Sequence, residues 1–218
     1  MTKQENLIKY LKTQFRTVEL LMPKVSHRPC GKSVHQLRLA TGRARVGLWV
    51  LEHSPSALRF KELGHDLRKL GKILGEVREV EVAIHDANHY GIELFDIKSR
   101  RRKAQKKIKK LVSEKKRNNL SKQFADAQNR IRKFGRVSFS MARDELIFKI
   151  RRELALCLRG ETKPHKLRIV LKKTRYALEA MGKPTGQMKL LQSVSGDEHD
   201  LVTSLLHILK FVYTCSGN

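Results

Sequence analysis

The sequence predicts an all-α fold on three observations. Apolar residues recur at spacings of three and four along nearly every segment, and no segment alternates convincingly with period two. The 218 residues, 40% of them apolar, are enough to build a sizeable core.

The first element is "LIKYLKTQFRTVELLM", whose stripe is Leu7, Ile8, Leu11, Phe15, Val18 and Leu21 or Met22. This amphipathic helix is expected to stop at Pro23, with "SHRPCGKS" as a turn-rich connection. Further helices are expected over 33–53, 55–74, 76–90, 94–133 with a candidate break near Asn118, 137–159, 164–182, 186–194 and 197–213. The one stretch with alternating valines, "EVREVEVAI", follows Gly75 and runs into the helical pattern "AIHDANHY", so it reads as a helix start.

Composition narrows the partner. Forty-seven Lys and Arg against 21 Asp and Glu give a formal charge of +26. Such an imbalance destabilises by self-repulsion and is tolerated where a polyanion neutralises it, which leaves nucleic acid, polyphosphate or an anionic membrane surface. Cys30, Cys157 and Cys215 are odd in number and form no CxxC pattern, so they are expected to be reduced, buried thiols. The N-terminus lacks an apolar targeting core and no 18-residue apolar run occurs, so a cytoplasmic protein without membrane insertion is expected.

One line is written twice. "VHQLRLATGRAR" at Val34–Arg45 returns as "PHKLRIVLKKTR" at Pro164–Arg175. At 100° per residue, His35, Arg38, Gly42 and Arg45 share one arc, opposite Leu37, Ala40, Ala44, Leu48 and Leu51. His165, Arg168, Lys172 and Arg175 likewise oppose Leu167, Val170, Leu178 and Met181. The helix after the first copy repeats the design, with Lys61, His65, Arg68 and Lys72 opposite Phe60, Leu63, Leu67, Leu70 and Leu74. A second element recurs in the same order, Gly75, Arg78 and Glu79 against Gly196, His199 and Asp200. The chain reads as one domain built by internal duplication, with repeats of about 1–93 and 94–218, each long enough for a helical bundle.

The histidines are expected to open their helices. Ser33 and Gln36 form a capping-box pattern that puts His35 in the first turn, and Pro164 does the same for His165. Free N–H groups and the positive dipole end favour an anion there, against the plainer reading of a capping histidine with a solvated basic face. "SRRRKAQKKIKKLVSEKKR", Ser99–Arg117, holds eleven bases and one acid on a thin stripe of Ala104, Ile108 and Leu111. It reads as a cationic helix able to meet a polyanion.

Catalytic look-alikes fail on spacing. "CGKS" would need a glycine where Ser26 stands and a strand before it. His85 and His89 are four apart, but Asp86 replaces the glutamate base of a zinc helix. Glu79 and Glu81 resemble the paired glutamates of triphosphate tunnel enzymes, yet Ala83 stands where that pattern continues to a lysine. No nucleophile, base and orienting group assemble, so no catalytic residue, metal or cofactor is expected.

Together these residues resemble the CHAD family, the conserved histidine α-helical domain. The likeness is carried by His35, Arg38, Arg43 and Arg45; by Arg68, Gly75 and Arg78; by His165, Arg168, Lys172, Lys173, Arg175 and Tyr176; and by Gly196, His199 and Asp200. It spans about 30–90 and 160–210. The resemblance implies a stand-alone, non-enzymatic member. Its two pseudo-symmetric antiparallel four-helix bundles would line a central basic groove or pore that binds inorganic polyphosphate, in association with polyphosphate granules. The expected binding set also takes in Lys61, His65 and Lys72 of the second basic ridge, and Lys189.

Two departures stand out. Gly42 sits where a basic residue is frequent, while Lys172 keeps it in the second half, and Arg78 replaces the histidine seen at His199. Between about 95 and 160 the match is poor and helices rest on periodicity alone. Nucleic acid is the secondary candidate partner, although the basic runs carry no interleaved aromatics for base stacking, and Trp49, Phe60 and Phe124 sit among apolar residues. A phosphohydrolase using Mg²⁺ with Glu79, Glu81 or Asp200 is the third reading.

Overall fold

In the computed structural model the described residues are 3–27, 31–54, 59–90, 97–133, 139–161 and 164–189. Every regular element among them is helical: α1 (Lys3–His27), α2 (Gly31–Glu52), α3 (Lys61–Tyr90), α4 (Ile97–Leu111), α5 (Glu114–Lys133), α6 (Ser140–Leu158) and α7 (Pro164–Ala180). Residues 186–189 are helical again, where the helix expected over 186–194 begins. The one expected over 197–213 lies outside the described residues.

Four boundaries differ from expectation, each for a physical reason. α1 does not stop at Pro23 but runs on to His27. Val25 continues the apolar stripe and is fully buried; that burial is worth about 1.5–3 kcal/mol, comparable with the roughly 3 kcal/mol an interior proline costs. α2 already includes Gly31, so Ser33 is inside the helix and not its cap, and His35 lies beyond the first turn. The segments 55–74 and 76–90 are one helix from Lys61 through Gly75. Phe60 precedes it, buried, its carbonyl accepting from the Gly64 N–H at 2.8 Å. The basic run breaks at Val112 and Ser113, not near Asn118: Ser113, a good N-cap type, opens α5, its backbone carbonyl accepting the Arg117 N–H at 2.9 Å.

Helices α6 and α7 end by the same device. Gly160 and Gly182 have φ of +72° and +67°. The Glu161 and Lys183 N–H groups reach back to the Leu156 and Leu178 carbonyls, both at 2.9 Å, in Schellman geometry.

Contacts divide the chain into two compact units. One comprises Ile8–Leu48 and Arg59–Gly135, the other Met1–Leu7, Trp49–Leu58 and Arg136–Asn218. The two copies of the repeated line fall in different units.

In the first unit α2 and α3 are antiparallel neighbours, since positions near Gly31, Arg38 and Arg45 meet Arg78, Gly75 and Gly71 in turn. α3 then packs α4 along its second half, where the Lys107 ammonium donates to Glu76 at 2.8 Å. Its first half packs α5, where the Gln123 amide donates to Asp66 at 3.1 Å. α1 closes on α5 through stacked Phe15 and Phe124 rings, and on α2 so tightly that a Cβ at Gly47 would come within 2.6 Å of Leu11. In the second unit, Ile150 and Leu154 of α6 bury against Leu167 and Leu171 of α7 and Met188. Of the cysteines, only Cys157 is described; it is free but half-buried rather than buried, with its thiol pushed up by burial and then by Glu153.

Candidate functional site

The predicted stripes of α2 and α3 divide between core and surface as expected, whereas in the second copy Leu167 is buried but Val170, Leu178 and Met181 are only half-buried. Leu37, Ala40, Ala44, Leu48 and Leu51 of α2, and Leu63, Leu67, Leu70 and Leu74 of α3, are all buried. His35, Arg38, Lys61, His65, Arg68 and Lys72 are exposed or half-buried, as are Arg43, Arg45 and Arg78.

What periodicity could not show is how the two stripes meet. A methyl group on Gly75 would lie 3.9 Å from the Arg38 Nε, and one on Gly71 the same distance from an Arg45 guanidinium nitrogen. The glycines of α3 are not breaks; they keep its flank low where two arginines of α2 lie alongside. Arg45 is thereby brought near Arg68, and burial first, then the Arg68 charge, hold its guanidinium below the ordinary arginine range. Among the described residues no carboxylate lies within ion-pair distance of Arg38, Arg45 or Arg68. Thr41, buried between them and the core, is satisfied by donating to the Leu37 carbonyl at 2.7 Å.

At the end of this face a carboxylate enters. Glu81 Oε2 would lie 3.1 Å from a Cβ on Gly31, and an Arg78 guanidinium nitrogen 3.6 Å from the same point. That oxygen is buried and accepts no hydrogen bond from the described residues. Burial pushes the Glu81 carboxyl up by more than Arg78 and Arg101 pull it down.

The basic run splits between two places. On α4, Ala104 and Ile108 are buried, and Arg101, Arg102, Lys103, Lys106, Lys107, Lys109 and Lys110 are exposed. Lys115 and Lys116 of α5 instead line a cleft of about 320 Å³ with Lys69 and Asp66, floored by Met22, Leu70 and Leu120.

In the second unit the matching positions divide. Arg168 and Lys189 are exposed and Lys172 is half-buried. Arg175 is largely enclosed, 3.5 Å from Glu179 and over the Tyr176 ring at 5.0 Å. Lys173, assigned by resemblance alone, is turned onto Trp49, its ammonium 3.5 Å from the ring centroid. Trp49 is thus not simply among apolar residues: His53 lies against it at 4.3 Å and Lys149 at 5.9 Å. His53 Nδ1 donates to the Trp49 carbonyl at 2.8 Å, and its Nε2, when protonated, forms an ion pair with Glu145 at 2.5 Å. The side chain of His165, and all of Gly196, His199 and Asp200, lie outside the described residues.

This cluster is a structural clamp with a pH signature. Burial alone would raise the Glu145 carboxyl, but the Lys149 hydrogen bond and the charges of His53, Lys149 and Lys173 outweigh it and hold the group below the usual 4.5. A carboxyl depressed in the folded state contributes stability above its unfolded value and loses it as pH falls through the folded one. Glu145→Gln is therefore expected to melt below wild type at pH 7 and to converge with it as pH drops below about 4.5. Thermal melts across that range check this, and parallel curves would contradict it.

Among the described residues no three His, Cys, Asp or Glu side chains group as metal ligands, and no helix is long and apolar enough to cross a membrane.

Fold and face together define an all-helical protein that carries, on the neighbouring helices α2 and α3, a row of arginines without acidic partners among the described residues. The chain matches the CHAD domain family model over residues 9–208 and belongs to that family. A similar solved structure is the crystal structure of the CHAD domain from the plant Ricinus communis, with a TM-score of 0.64 and 14% sequence identity, over 98% of this chain and 86% of that one. No curated protein sequence gives a significant match.

Proposed function

We propose that the protein is a non-enzymatic module that binds inorganic polyphosphate in the cytoplasm, in association with polyphosphate granules. The binding residues are Arg38, Arg45, Arg68 and Arg78 with His35, Arg43, Lys61, His65 and Lys72 around them, and Arg168 and Lys172 at the matching positions of α7. Arg175 and Lys173 serve mainly to brace α7.

One observation carries the reading. Arg45 is held beside Arg68, half-buried, with no described acid to offset either charge. Such a placement is unfavourable in the free protein and becomes favourable when a chain of negative charge lies across both. A base-free polyanion needs only guanidinium forks and ammonium charges along rigid helices, and the aromatic rings Phe15, Phe60 and Phe124 are buried beneath, not displayed for stacking.

Competition tests it. Long-chain polyphosphate is expected to displace DNA and RNA at equal phosphate concentration, with a steep loss of affinity on adding salt. Failure to displace them would favour the second reading, a nucleic-acid binder using the exposed cations of α4. No orthophosphate should appear when polyphosphate and Mg²⁺ are incubated with the protein; release abolished by Glu79→Ala would instead make it a hydrolase.

A further inference from the structure

We propose that Glu81 is a built-in counter-ion of the polyphosphate face: its carboxylate, set by Arg78 of its own helix and Arg101 of α4, takes up a proton from solvent when a phosphoryl chain engages those two arginines. The proposal rests on the polyphosphate reading and extends it, because it adds Arg101 to the binding residues and makes binding proton-linked.

The geometry is unusual for an acid on a cationic surface. Glu81 is half-buried, and one of its carboxylate oxygens is fully enclosed at Gly31 of α2 without a hydrogen bond from the described residues. Arg78 approaches the same point, and Arg101 acts on the carboxylate from α4. Among the described residues these are the charged groups that act on it from α3 and α4, and α2 meets it at Gly31. By contrast, Glu76 on the preceding turns makes a direct ion pair with Lys107, the ordinary way for an acid on α3 to meet α4.

A buried carboxylate oxygen without a donor is costly when charged and less so when protonated. In the free protein, Arg78 and Arg101 still favour the charged form, against burial. A phosphoryl chain on those arginines neutralises that attraction and adds like charge beside the carboxylate, so both changes raise its proton affinity. Binding then draws in a proton and strengthens as pH falls. The same displacement joins the arginine row of α2 and α3 to the cations of α4 through Arg101.

The test is a titration of the full chain with polyphosphate of one fixed length, from pH 7 down to about 4.5, on wild type, Glu81→Gln and Arg101→Ala. Glu81→Gln, near isosteric and checked by its melting curve, is expected to bind about fivefold tighter at pH 7, the scale of one like charge removed near the surface. The two curves should converge as pH falls toward about 4.5, where the carboxyl is protonated in both states. Arg101→Ala should bind about fivefold more weakly than wild type at pH 7. If wild type binds through Arg38, Arg45 and Arg68 but Glu81→Gln follows its curve in parallel at equal affinity, the counter-ion is overturned and the polyphosphate reading stands. An unchanged Arg101→Ala removes Arg101 from the site, and absence of binding by wild type overturns both readings.

Discussion

The triple variant Arg38→Ala, Arg45→Ala and Arg68→Ala is expected to lose polyphosphate affinity by about 100- to 1000-fold with no loss of fold. A hydrogen bond to a charged group is worth about 1.5–3 kcal/mol, so three strictly additive losses would exceed 1000-fold. A flexible polyanion recovers part of this on Arg43, Lys61 and Lys72, which lie on the same two helices. The salt dependence should flatten with it, the slope of log affinity against log salt falling by about two to three as three cation contacts disappear. A matched variant removing Lys103, Lys106 and Lys110 from the exposed face of α4 subtracts the same formal charge and should cost only about tenfold. Equal losses from the two variants would mean that net charge, not the α2 and α3 face, holds the ligand. The melting curve supplies a second criterion. Arg68 is exposed and repels Arg45, so its removal relieves a conflict, and Arg68→Ala alone should melt no lower than wild type.

The arc that the triple variant removes is legible in the sequence. Rotations of 100° per residue alone place Arg38, Arg45 and Arg68, and the opposite arc of leucines and alanines is buried as that rotation requires. Less legible is anything set by a neighbour distant in sequence. Gly75 reads locally as a helix break, and only α2 lying alongside at Arg38 gives it the other role. Pro23 reads as a stop because the value of burying Val25 depends on what packs there. Lys173 resembles a ligand-binding position in its motif, but Trp49 and Glu145 draw it into the clamp. Glu81 reads in the sequence only as half of a failed catalytic pair, since its meaning lies in Gly31 and Arg101 from two other helices. Ser113 does carry a local signal, a capping residue followed by an acid, and that signal marks the break between α4 and α5.

The largest effect on stability should come from Phe124→Ala. Phe124 of α5 and Phe15 of α1 are 1% and 0% exposed, their rings stacked with centroids 4.2 Å apart and planes 13° from parallel. Truncating a buried phenylalanine costs about 3–5 kcal/mol, part of it from the cavity left behind, and this one also loses an aromatic pair worth about 0.5–1.5 kcal/mol. Against a typical total of about 5–15 kcal/mol, in a chain whose +26 charge already opposes compaction, the variant is left marginal. At about 2–4 °C per kcal/mol for a chain of this size, its melting temperature should fall by roughly 7–26 °C, while Phe124→Leu keeps most of the volume and loses less. Neither ring touches the proposed ligand, so polyphosphate at about a hundred times its Kd should restore about 2.7 kcal/mol through mass action. The same addition should do little for the protein that also carries the three arginine substitutions. A Phe124→Ala protein that melts with wild type would show that the α1 and α5 contact does not hold the first unit together. One that melts low but is not raised by polyphosphate would separate the stability of the unit from the ligand proposed for its surface.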